Sequence, residues 1–155
     1  MIISNDIPQA YLNRCITYND LDQFSKAIDD CNYALLLRPN YASAYNSRGT
    51  AYTSLKDYQS AMRDFNQAIA IEPTFVEALV NRGIVYQYLG QIDLAIADYT
   101  QSILLKPHYD FARYNRGIAY DTKGIIEQAQ ADYRDVIENS NNPILRQQAT
   151  ERLSR

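Results

Sequence analysis

Pro39, Pro73 and Pro107 stand 34 residues apart, and Asn141 falls where a fourth proline would be. A fixed period of this length marks an array in which each unit is one supersecondary element, unable to bury its apolar face without its neighbours. With that period as a ruler the chain lines up in columns. Ala10, Ala44, Ala78 and Ala112 form one, Tyr18, Tyr52, Tyr86 and Tyr120 another, and Ala27, Ala61, Ala95 and Ala129 a third. A small-residue column runs Cys15, Gly49, Gly83, Gly117, and a larger one runs Cys31, Phe65, Tyr99, Tyr133.

Inside each unit the apolar residues follow helical spacing twice, with a break between. In the third unit Ala78, Leu79, Gly83, Tyr86 and Leu89 make one stripe, and Gly90 is placed to end that helix in a left-handed conformation. Ala95, Ile96, Tyr99, Ile103 and Leu105 make the second stripe, which Pro107 stops. Each unit therefore reads as a helical hairpin. Five glycines and five prolines in 155 residues are too few for a sheet-rich chain with many turns. After the fourth unit, Asn142-Pro143 reads as a cap and first helical residue, and Ile144, Leu145, Ala149 and Leu153 give a short apolar stripe. The expectation is an all-α solenoid of four 34-residue hairpins (8–41, 42–75, 76–109 and 110–142), with an extension at 1–7 and a capping helix at 143–155.

The columns resemble the tetratricopeptide repeat family over about residues 8 to 142. The family pattern is met in the second unit by Tyr45, Gly49, Tyr52, Ala61, Phe65, Ala68 and Pro73. Two departures stand out. The usual leucine before the glycine is Arg14, Arg48, Arg82 and Arg116, and the usual tryptophan is Tyr11, Tyr45, Leu79 and Arg113. The resemblance implies a protein-interaction scaffold that takes an extended peptide or a partner helix in a concave groove lined by the first helices.

The arginines have candidate partners in a further column, Asp30, Asp64, Asp98 and Asp132. Arg82 and Asp98 each lie eight residues from Gly90, so an antiparallel hairpin brings them to one height. A charge at the edge of a core needs such a partner. The within-hairpin pairing is favoured. The same height also allows Asp64 to meet Arg82 across the repeat boundary, which would let one arginine serve two aspartates.

A formal charge of −3 and a pI near 5.1 argue against a non-specific nucleic-acid binder. The longest apolar run, beginning at Tyr33, is far too short for a membrane span, and MIISNDI lacks the features of a signal peptide. Cys15 and Cys31 make neither a disulfide framework nor a metal site, and read as two free buried thiols of a reducing, cytoplasmic protein. The lone histidine, His108, follows Pro107 in a turn, where repeat geometry assembles no nucleophile, base and orienter around it. No phosphate or dinucleotide loop is present. The chain is expected to be no enzyme, with no cofactor and no metal.

Projection of each first helix away from its second gives an expected peptide-binding lining. It comprises Leu12, Asn13 and Ile16, then Asn46, Ser47 and Thr50, then Val80, Asn81 and Ile84, and finally Phe111, Tyr114, Asn115 and Ile118. It holds no lysine or arginine, while Asp20, Glu77 and Asp121 lie on the same face. The column Asn13, Ser47, Asn81, Asn115 offers amides that both donate and accept, similar to the asparagine ladder of the sugar-transferring members of the family. Chaperone-tail-binding members grip a terminal carboxylate with lysine, arginine and asparagine. At the matching places this chain has Leu12, Ile16, Ser47, Glu77 and Asn81, or, one repeat on, Asn46, Thr50, Asn81, Phe111 and Asn115. Neither set holds a cation. The expected partner is a protein or peptide, neutral or basic with apolar anchors, and neither nucleic acid nor membrane. Two alternatives stand: self-association through Ile2, Ile3, Ile7 and Tyr11 at the N-terminal end, or a regulatory or substrate-recruiting segment of a larger enzyme.

Overall fold

The computed structural model describes residues 6–154, which form nine α-helices and no strand. In chain order these are α1 (Asp6–Asp20), α2 (Phe24–Leu37), α3 (Ala42–Ser54), α4 (Tyr58–Ile71), α5 (Val76–Tyr88), α6 (Ile92–Leu105), α7 (Asp110–Lys123), α8 (Ile126–Asn139) and α9 (Pro143–Leu153). The architecture is an all-α solenoid of helical hairpins, ending in the expected capping helix. The apolar residues Ile2 and Ile3 lie outside the described residues. Among the described residues no helix is long and apolar enough to cross a membrane.

The hairpin turns follow one recipe. Gly90 and Gly124 take positive φ, and Asp22 and Lys56, at the same position of the period, adopt the same left-handed conformation. In each turn the next amide donates back to the carbonyl of the tyrosine column, as in Gln91 N–H to Tyr86 at 2.8 Å and Ile125 N–H to Tyr120 at 2.9 Å. This six-to-one bond satisfies a carbonyl that the ending helix leaves free.

The chain forms two compact units, Met1–Val85 and Tyr86–Arg155. In the first, α1 packs on α2 and α3 on α4, while α3 also meets both α1 and α2. Leu12, Ala27, Ala34, Leu35, Ala44 and Ala51 build one core; Ala61, Phe65 and Val85 build another. The small column is small for a reason: a Cβ on Gly49 would stand 2.7 Å from the Phe65 ring. In the second unit α7 packs on α6, α8 and α9, and α8 also meets α9. Ala129, Tyr133, Val136, Leu145 and Ala149 fill its core, and Gly117 stands to Tyr133 as Gly49 stands to Phe65. Asn142 caps α9, its side-chain oxygen accepting from the amides of Ile144 and Leu145 at 3.0 and 3.2 Å, with Pro143 at the first turn.

The thiol expectation is overturned. Cys15 and Cys31 are joined in a disulfide, with Cα atoms 5.6 Å apart and both residues fully buried. The reason lies in the column they occupy. Where the hairpins α3–α4 and α7–α8 set glycine against a ring, this one sets two small residues against each other at a backbone spacing that suits the bond. The argument from free thiols for a reducing compartment falls with them, since structural disulfides belong mainly to oxidising compartments.

Arg14, Arg48 and Arg116 pair within their own hairpins. Arg48 donates from Nε and Nη2 to the two carboxylate oxygens of Asp64 at 2.8 and 2.7 Å, and Arg116 does the same to Asp132 at 2.9 and 2.8 Å. Arg14 makes the equivalent fork to Asp30. These bonds hold the Arg48 and Arg116 guanidinium groups even further above the physiological range than usual. Nη1, the third arm, crosses to the preceding hairpin. It reaches Asn32 from Arg48 at 2.6 Å, Asn66 from Arg82 at 2.7 Å and Thr100 from Arg116 at 3.2 Å. The acceptor across the boundary is thus an amide or hydroxyl two residues beyond the aspartate.

Candidate functional site

In the first unit the face of interest is built from α1, α3 and the part of α5 before Val85. Thr50 and Thr53 each return their hydroxyl proton to the carbonyl one turn earlier, Asn46 and Gly49, at 3.0 and 2.9 Å. The threonine oxygens are left facing outward as acceptors. Asn81 donates from Nδ2 to the Asn46 side-chain oxygen at 3.0 Å, so the amides of neighbouring repeats are already cross-linked. Between them lies a cavity of about 140 Å³ lined by Thr50, Thr53, Ser54, Asn81 and Ile84, with Phe65 contributing its ring. Asn13 accepts from Gln9 at 2.8 Å beside an exposed Ile16. Asn19 donates to the Ser47 carbonyl at 2.8 Å, bracing α1 on α3, and its own side-chain oxygen is buried with no hydrogen-bond partner among the described residues.

In the second unit the matching face is that of α7. Phe111 is exposed, and Asn115 donates to the Phe111 carbonyl at 2.7 Å. Tyr114 leans on Tyr133, their ring centroids 5.9 Å apart, and Ile118 joins the same cluster. Asp121 accepts the Tyr133 hydroxyl proton at 2.6 Å. Burial, and then this bond to a carboxylate, push the Tyr133 pKa well above that of an ordinary phenol, so the hydroxyl stays a donor throughout the physiological range.

Several expected lining residues do not meet solvent. Leu12, Val80 and Ser47 are buried, at 3%, 1% and 8% exposure. A first helix in this fold packs on a neighbouring first helix as well as on its own second helix, as α1 does on α3, and Leu12 shares a core with Ala27, Ala34 and Ala44. Asn46, Thr50, Asn81, Ile84, Tyr114, Asn115 and Ile118 are half-buried, while Asn13, Ile16 and Phe111 are open. One contributor comes from outside the first helices. Phe65 belongs to a second helix, yet its ring reaches the cavity because Gly49 leaves nothing in between; the glycine opposite an aromatic column is the sequence signal for it.

Models of the tetratricopeptide repeat match residues 42–75, 76–109 and 112–143. Among solved structures, MamA is similar at 27% identity and a TM-score of 0.77, over 89% of this chain and 81% of that one. A thermophilic tetratricopeptide protein of Thermus thermophilus superposes with a TM-score of 0.87 at 22% identity, over 96% and 82% of the two chains. The first such domain of Spaghetti (RPAP3), bound to the HSP90 peptide SRMEEVD, gives a TM-score of 0.73 at 20% identity, over 80% and 98%. No curated protein sequence matches the chain.

Proposed function

The chain belongs to the tetratricopeptide repeat family, and we propose from that premise that it is a non-catalytic protein-interaction scaffold, holding an extended peptide against the first helices of its hairpins. The observation that carries this reading is the cavity over Phe65. Its walls combine hydroxyl and amide oxygens with the apolar side of Ile84. Such a lining suits a peptide whose backbone amides donate while a side chain is buried.

The same lining bears on the charge of the ligand. The acidic peptide SRMEEVD is the HSP90 peptide bound to the Spaghetti domain. Here the first helices carry Asp20, Glu77 and Asp121, and no lysine or arginine stands at the places that would meet a carboxylate. Neutral or basic peptides with one or two large apolar residues are the ligands this face favours.

A panel of labelled peptides, matched in apolar content and differing in charge, tests the reading by fluorescence anisotropy. Neutral and basic members should bind about tenfold or more tighter than acidic ones. Asn81→Ala with Asn115→Ala should weaken binding while the melting temperature falls little, since both amides are only half-buried. Acidic peptides binding best, or a double variant that binds normally, would overturn it.

A further inference from the structure

The first helix of the array presents a joint that the rest of the chain fills three times. At α3 and α7 the arginine side chain is 19% exposed, and its third arm is held by the second helix of the preceding hairpin. At α1 the equivalent Arg14 is 57% exposed, and its Nη1 has no partner among the described residues. The alanine column repeats the contrast. Ala44, Ala78 and Ala112 are fully buried, whereas Ala10 is exposed. A cavity of about 290 Å³ opens there, lined by Ile7, Ala10, Tyr11 and Arg14.

What fills this joint elsewhere has a constant chemistry. The helices that cover it carry Asn32-Tyr33-Ala34-Leu35, Asn66-Gln67-Ala68-Ile69 and Thr100-Gln101-Ser102-Ile103. In each, an acceptor takes the arginine arm, a fully buried small residue follows two places later, and an aliphatic residue comes next. We propose that the exposed face of α1 docks an amphipathic helix carrying this same pattern, Asn or Thr, any residue, Ala or Ser, then Ile or Leu. The arginine supplies directional recognition and the Ala10–Tyr11 hollow takes the small and aliphatic pair.

A second copy of this chain does not fit head to tail. The fourth member of the covering series is Arg134, followed by Asp135 and Val136, so the acceptor is replaced by a cation that Arg14 would meet as a like charge. The face that follows is moreover already taken by α9, which packs on α8.

The probe is a synthetic, side-chain-stapled copy of residues 57–72, which carries the Asn66 version of the pattern, titrated against the full chain. It should bind, and Asn66→Arg in the peptide should weaken binding about tenfold or more. Ala10→Lys in the chain should do the same without lowering the melting temperature, because Ala10 is exposed. Ala10→Cys should label rapidly in the free chain and slowly with the peptide present. No binding, or binding indifferent to both substitutions, would overturn the proposal. So would two other outcomes: slow labelling in the free chain, which assigns the face to the chain's own first residues, and self-association abolished by Ala10→Lys, which assigns it to a second copy.

Discussion

Cys15 and Cys31 occupy positions where the other described hairpins use a glycine and a ring, and the bond between them ties α1 to α2 across a separation of 16 residues. Closing a loop of that size in the unfolded chain stabilises the fold by about 3 kcal/mol. Cys15→Ala with Cys31→Ala should therefore melt well below the parent, and the parent should lose stability when reduced under denaturing conditions. Thiol counting in denaturant without reductant should find no free groups; two would contradict the bond. The sequence concealed this pair because cysteine spacing carries no record of Cβ directions. Their places in facing columns were legible; that the hairpin brings the backbones to bridging distance was not.

The hairpin is the element that the repeat columns describe best, and its arginine–aspartate fork is the clearest case. Equal height about the turn predicted the pairing, because two antiparallel helices of one pitch keep register over two turns. The third arm was not legible in kind. Its acceptor depends on the angle at which successive hairpins stack, which brings Asn32 rather than an aspartate to Arg48. Arg48→Leu would leave the 7%-exposed Asp64 side chain without its fork and should cost about 3–5 kcal/mol. Adding Asp64→Ala should recover part of that loss. A chemical-denaturation cycle over the two single variants and the double reads the coupling directly; a single variant as stable as the parent would mean that the fork contributes nothing.

For the whole molecule, the repeat architecture and its capping helix were readable from period and polarity, whereas the binding face was readable only in outline. A projection that treats each hairpin alone cannot see that Leu12, Ser47 and Val80 are buried, nor that a ring from behind opens into the cavity at Thr53. The central claim is that partners are held on the first-helix face rather than on the outer helices. Leu36, 74% exposed on α2, offers a far more accessible apolar residue than anything lining the cavity, so exposure alone would favour the outer surface. Replacing Thr53 or Leu36 by a photo-crosslinking amino acid and irradiating each protein with a bound neutral, apolar-anchored peptide compares the two faces. Crosslinking through position 53 and not through position 36 is the predicted result; efficient crosslinking at 36 with none at 53 would contradict it.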